Sequence, residues 1–241
     1  MNYSVVIPAF NEEHYIGATL QALRRAMTPL PYSGEIIVTD NRSTDRTPEI
    51  AREFGAKVVY ESINQISRAR NAGAAQAGGQ LLVFVDADTL VPPTLLRTVI
   101  DRLTIGTVGG GGATILPDRA LPRLPAAGLH VWNRLSTALG IAAGSFIYCR
   151  MDGFRSIGGF DDRLYVAEEF FFSLRYRRWC RQKGLSFEVI RDQPVISSAR
   201  KIDWYSPAQF FLMGAAMVAF PIVMRFKRLC RFWYRRPPAG V

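Results

Sequence analysis

Short apolar runs alternating with helically spaced segments fill the first half of the chain, and that alternation limits what it can fold into. Tyr3 to Ile7 (YSVVI), closed by Pro8, reads as a first strand, Glu35 to Thr39 (EIIVT) as a second, Lys57 to Tyr60 as a third and Leu81 to Val85 (LLVFV) as a fourth. Between them the spacing is helical. Ile16, Leu20 and Leu23 mark a helix that stops before Pro29 and Pro31, with Asn11 as its cap and Glu12 and Glu13 in its first turn. Thr47 and Pro48 open a second helix that Gly55 closes, and Ser67 to Ala77 forms a third, small-residue helix carrying Arg68, Arg70 and Asn71. Strands joined through single helices on short loops predict an α/β fold, with a Rossmann-like, mostly parallel central sheet flanked by helices. The 241 residues suffice for one domain or two intimately packed halves.

Parallel strands end on the same side, so Asp40, Asp86 and Asp88 should collect on one rim. The run from Leu81 to Val85 is apolar throughout, as in a strand covered on both faces, and Asp86, Ala87 and Asp88 follow at once. Residues two apart in an extended chain point the same way, so both acids face one spot. Two carboxylates without a nearby His or Cys suit a hard divalent ion, Mg²⁺ or Mn²⁺, shared with phosphate oxygens. The same residues also fit a plain strand-to-helix turn in which Asp88 or Thr89 caps the segment beyond Pro92 and Pro93.

Beyond Asp88 the rhythm changes. Thr107 to Leu116 (TVGGGGATIL) reads as a strand whose four glycines match neither GxGxxG nor a P-loop, and so serve close backbone packing or a ligand wall. A loop over Asp118 to Pro125, an amphipathic helix over Leu129 to Leu139 and a strand over Ser145 to Cys149 follow. Glu168 and Glu169 then open a helix that Gly184 ends.

The net charge of +10 raises a nucleic-acid reading, but six basic residues and no acid fall between Trp204 and Val241, leaving 24 basic against 20 acidic residues elsewhere. With no zinc-finger or RNP signature, no nucleic acid partner is expected. Trp204 to Met224 is uncharged and a dense aromatic-basic run follows. That combination suits an interfacial helix at an anionic membrane surface, with Trp233 and Tyr234 at the headgroup level. A helix packed on the body and a true span are the alternatives. Cys149, Cys180 and Cys230 are far apart and form no CxxC pair, which argues against a disulfide framework or a zinc site, and His14 and His130 read as ordinary residues. Met1 leading directly into a strand gives the expectation of no signal peptide. The expected location is cytoplasmic, with peripheral contact on the inner face of the plasma membrane.

Four ordered pieces carry a resemblance over Asn2 to Lys201. They are VVIPAFNEE at Val5 to Glu13, IIVTDNRSTDRTPEIA at Ile36 to Ala51, the VDADT turn, and GGFDDRLYVAEEFFFSLR at Gly158 to Arg175. The chain resembles the inverting, nucleotide-sugar-dependent glycosyltransferases of family 2. The resemblance implies a GT-A fold, with a nucleotide-sugar-binding half at residues 1–116, an acceptor-binding half at 117–203 in the same continuous domain, and the tail at 204–241. It implies Mg²⁺- or Mn²⁺-dependent transfer of a sugar, from a UDP-sugar as the usual donor, to a sugar or lipid-linked acceptor hydroxyl. By matching position, Pro8, Phe10 and Glu12 would line the nucleoside, Asp40 would read the base or ribose, and Arg68 and Asn71 would border the nucleotide. Asp86, with Ala87 beside it, would lie near ribose and metal, Asp88 would ligate the metal, and Glu168 or Glu169, preferably Glu169, would be the general base.

Two departures stand out. The family writes Glu-Asp where this chain has Glu168 and Glu169, and the later basic or histidine motif appears only as Ser198, Ala199, Arg200 and Lys201. The first keeps open a catalytically silent scaffold or nucleotide-sugar-binding protein. A sugar nucleotidyltransferase is a further alternative, but it would want a glycine-rich basic loop directly after the first strand, and Pro8 to Glu13 has none.

Overall fold

In the computed structural model, which describes residues 1–204 and 221–230, β1 (Tyr3–Ala9), β2 (Gly34–Asp40), β3 (Lys57–Tyr60) and β4 (Leu81–Val85) lie in parallel in the order β3-β2-β1-β4. The helices α1 (Ile16–Met27), α2 (Thr47–Glu53) and α3 (Ile66–Ala75) make the crossovers. After β4 come β5 (Thr89–Leu90), α4 (Pro93–Ile105), β6 (Val108–Pro117) and α5 (Arg123–Leu139). They are followed by β7 (Phe146–Arg150), α6 (Met151–Ser156), α7 (Glu168–Gln182), β8 (Ser186–Ser197) and the short α8 (Arg200–Trp204). A 3₁₀ turn spans Pro221–Arg225.

Alternation along the strands explains their unbroken apolar character. Val5 and Ile7 of β1 and Val83 and Val85 of β4 enter one core with Ile16, Leu20, Leu23 and the inner face of α4. Val6, Leu82 and Phe84 point to the other face, among Phe154, Phe160, Phe172, Tyr176 and Trp179. In that second core Phe160 stacks on Phe172 with ring centroids 4.4 Å apart and meets Phe84 edge-on at 5.1 Å.

The sheet continues without a break as β4-β7-β6-β8-β5, with β7 antiparallel to both β4 and β6 and β6 parallel to β8. Position 116 therefore falls inside β6, within a sheet that residues on both sides share. The glycines of β6 serve close packing: a Cβ on Gly111 would stand 1.8 Å from the Glu188 carbonyl oxygen. β8 was not anticipated from sequence, because Arg191, Asp192, Gln193 and Pro194 interrupt its alternation. The structure accommodates them where the β6–β8 register shifts between Ala113 and Ile115.

Other expectations need correction. α1 begins at Ile16 behind Tyr15, so Asn11 does not cap it and neither Glu12 nor Glu13 sits in its first turn. The loop after β2 and the first residue of α2 take those partners instead: the Glu12 N–H donates to Thr47 Oγ1 at 2.7 Å and the Thr44 N–H to Asn11 Oδ1 at 2.8 Å. Neither Asp88 nor Thr89 caps α4, whose N-cap is Pro92. α5 starts at Arg123, well before Leu129. The interfacial-helix reading of the tail falls mainly on residues 205–220 and 231–241, outside the described residues. No helix among the described residues is long and apolar enough to cross a membrane.

Candidate active site

The carboxyl ends of β1 and β4 open on a cleft of about 310 Å³. Pro8 lines it from β1, Phe10 and Glu12 from the loop that follows, Asp86, Ala87 and Asp88 from the turn after β4, and Gly144 and Ser145 from the approach to β7. Val166 to Glu169 lead into α7 on the facing wall, while Arg70 enters from α3 and Arg200 and Trp204 from α8. Two details hold the aspartate turn: the Asp86 N–H donates to the Ser145 carbonyl at 3.2 Å, and Thr19 Oγ1 donates to the Ala87 carbonyl at 2.9 Å.

Two guanidinium groups organise the acids. Arg70, with 1% of its side chain exposed, donates through Nη1 to Glu168 Oε1 at 2.7 Å. Its Nη2 reaches Asp86 Oδ1 at 3.0 Å and the Gly144 carbonyl at 2.8 Å, and the group lies 5.2 Å from the centre of the Phe160 ring. Arg200 grips both carboxylate oxygens of Glu12 at 2.7 and 2.6 Å, the forked geometry that suits a guanidinium, and reaches Asp88 Oδ2 at 2.9 Å. It is held between the rings of Tyr15, at 4.3 Å, and Trp204, at 5.7 Å. Burial pulls down the pKa of each guanidinium, but the surrounding carboxylates outweigh it and both remain firmly cationic.

The two glutamates that begin α7 differ in environment. Glu168 is buried, and burial, reinforced by the Glu169 charge and opposed by Arg70, pushes its pKa up to about 8. Glu169 faces the cleft beside Gly144. Ala167, just before them, is held at φ 60°, a left-handed conformation uncommon for a residue with a Cβ, and it sets the angle at which α7 presents its acids.

The structure brings Pro8, Phe10, Glu12, Asp86, Ala87, Asp88, Glu168 and Glu169 into one cleft. It does not bring in Asp40, Arg68 or Asn71. Asp40 ends β2 and accepts the Ser43 N–H at 2.9 Å, Arg68 pairs with Asp162 at 3.3 Å, and Asn71 clamps the Phe160 backbone through both its amide atoms at 2.9 Å. Arg70 was given no role by the sequence reading, although it sits between Arg68 and Asn71. The available signal was an arginine on a small-residue helix, which marks a face packed too closely for solvent.

Asp86 and Asp88 present hard oxygen donors to the same cleft, which fits a divalent ion such as Mg²⁺ or Mn²⁺. Among the described residues no group of three or more His, Cys, Asp and Glu is placed to hold a metal ion. The remaining ligands would therefore be substrate oxygens and water.

Comparison with known proteins places this arrangement. The chain is 33% identical over 103 residues to validoxylamine A glucosyltransferase of Streptomyces hygroscopicus subsp. limoneus, a match over 40% of the chain and 22% of that protein. It is 29% identical over 188 residues to dolichyl-phosphate hexose transferase of Haloferax volcanii, covering 78% of the chain and 74% of that protein. The chain thus spans between about a fifth and three quarters of the length of these relatives. Among solved structures, mannosyltransferase PcManGT from Pyrobaculum calidifontis, in complex with GDP-Man and Mn²⁺, superimposes with a TM-score of 0.67 at 19% identity, over 95% of this chain and 64% of that one. Residues 1–349 of S. aureus TarS in complex with UDP give a TM-score of 0.64 at 21% identity, over 88% and 63%. These likenesses show the GT-A fold. The model of the family described as glycosyl transferase family 2 matches residues 4–147, more than half of the chain, and the chain therefore belongs to glycosyl transferase family 2.

Proposed function

We propose that the protein transfers a sugar, with inversion, from a nucleoside diphosphate donor to an acceptor hydroxyl, with Glu169 as general base. The observation that carries this reading is that Asp86, Asp88 and the acidic pair of α7 face a single cleft, in which Arg70 ties Asp86 to Glu168. In it Pro8 and Phe10 supply a wall for the nucleoside, and Glu12 is fixed in place by Arg200. Glu168 is committed to Arg70, which leaves Glu169 to take the proton of the attacking hydroxyl as the oxygen bonds to the sugar carbon. One displacement from the opposite face inverts the anomeric centre and needs no covalent enzyme intermediate. Asp88, with Asp86, would hold Mg²⁺ or Mn²⁺, whose chemistry when bound is to offset charge on the leaving diphosphate. UDP is the proposed nucleotide. A sugar or lipid-linked acceptor is proposed too, the latter supported by the dolichyl-phosphate relative.

The test is incubation with UDP-sugars and candidate acceptors, with and without Mn²⁺, followed by NMR of the product anomer. Transfer with inversion, lost in Glu169→Gln, is the expected result. Nucleotide binding without turnover would favour the silent scaffold, and release of pyrophosphate in a parallel incubation with UTP and a sugar 1-phosphate would favour a nucleotidyltransferase.

A further inference from the structure

α5 is amphipathic the wrong way round for a helix that serves only the core. Of its seventeen residues, only Ser136 is buried. Leu124, Val131, Leu135 and Leu139 recur at helical spacing and are between 48% and 67% exposed, so together they form one outward stripe. Trp132 stands beside it, also exposed. The helix is nevertheless fixed: Asn133 clamps the Ile115 backbone with bonds of 2.8 and 3.1 Å, and Ser136 Oγ donates to the Ile141 carbonyl at 2.6 Å. A polar edge holds the body while an apolar stripe faces out, the arrangement of a surface made to be covered.

Charge identifies the cover. Arg123 and Arg134 each precede a stripe residue by one position and so lie about 100° to one side of it. No acid occurs between Asp118 and Asp152. A second copy would set arginine against arginine, and the tail of this chain is itself basic and without acid, so neither supplies the complementary charge. An aliphatic stripe with a tryptophan and flanking arginines matches the boundary between headgroups and acyl chains. We propose that α5 docks on an anionic lipid bilayer, with the stripe in the acyl boundary and Arg123 and Arg134 among the headgroups.

The placement bears on the acceptor. Between α5 and the β6–β8 edge runs a groove of about 630 Å³ to which Arg134 and Arg191 contribute, and Ile115 lines both this groove and the catalytic cleft. A bilayer under α5 would deliver the head of an amphiphilic acceptor along that wall. This consequence rests on the glycosyl-transfer reading; the docking does not.

The test is flotation of the full chain with vesicles of phosphatidylcholine, with and without phosphatidylglycerol. Wild type should float only with the anionic vesicles. Leu124→Ser/Leu135→Ser and, separately, Arg123→Gln/Arg134→Gln should each weaken binding roughly tenfold or more, with circular dichroism and UDP binding unchanged. The exposed arginine pair keeps the test valid if the serine variant does not fold. The proposal is overturned if wild type stays at the bottom of the gradient. It is also overturned if the α5 variants float normally while Arg231→Gln/Arg235→Gln/Arg236→Gln does not, or if sedimentation shows that the serine variant turns a dimer into a monomer.

Discussion

Arg70 and Glu168 lie 98 positions apart in sequence and meet at 2.7 Å beneath the cleft. The same guanidinium holds Asp86, so the acid that follows β4 and the acid that opens α7 share one counter-charge.

Removing that counter-charge should cost more than an ordinary surface pair. Above about pH 8, where Glu168 is ionised, Arg70→Ala leaves a buried carboxylate without its cation, and we expect a loss of roughly 3–5 kcal/mol in chemical denaturation there. In a double-mutant cycle with Glu168→Gln, the coupling should exceed about 1 kcal/mol. Additive effects would show that the pair contributes nothing as a pair.

The two glutamates should separate kinetically. Glu169→Gln is expected to lower kcat by roughly 10²- to 10⁴-fold with donor affinity nearly unchanged. Glu168→Gln should affect chiefly stability. Full turnover in the Glu169 variant would remove that residue from the mechanism.

Stability should depend on pH through Glu168. Its folded pKa, about 8, stands above the unfolded value of about 4.3, so the native state holds the extra proton between those values. Its contribution therefore favours folding at the acid end and declines as pH rises towards 8. Burial sets this shift, the Glu169 and Asp86 charges reinforce it, and Arg70 opposes it. Asp161, lowered to about 2 by Arg163, works in the opposite sense: its contribution persists down to the acid range and adds no slope near neutrality. Tm measured between pH 5 and about 8.5 should fall with a slope that Glu168→Gln flattens. An identical slope in that variant would contradict the assignment.

Arg200 stands against Asp88 as an internal cation, and a divalent ion must compete with it. In Arg200→Gln, Mn²⁺ should bind at roughly tenfold lower concentration, equivalent to about 1.4 kcal/mol, while Glu12 loses its anchor and UDP affinity drops. Calorimetric titrations with each ligand would report both changes.

Gly111→Ala tests the packing of β6. A Cβ there meets a backbone carbonyl of the neighbouring strand, which cannot move as a side-chain end can. A destabilisation of at least about 3 kcal/mol is expected in urea unfolding, at the upper end of overpacking costs.

Much of the parallel half was legible because each strand is an apolar run set off by Pro, Gly or an acid, and Tyr3, Gly34, Lys57 and Leu81 indeed begin successive strands. Asp86 and Asp88 were legible for the same reason. β8 was not, since its polar middle is tolerated only where the β6 register shifts. The start of α1 is not legible because the Thr47 hydroxyl, at the first residue of α2, satisfies the Glu12 amide that local capping would otherwise serve. The role of Arg70 was hidden because its significance depends on what surrounds it, and two of its three oxygen partners lie more than seventy positions away.

Ala167 adds a constraint on engineering. Grafting the stretch from Tyr165 to Gln182 of another family member would not transplant cleanly, because that stretch enters the cleft through one left-handed residue and is moored to α3 by Arg70. A chimera that swaps the graft alone would import an acid pair without its mooring; exchanging α3 along with it preserves the electrostatic match on which the facing wall stands.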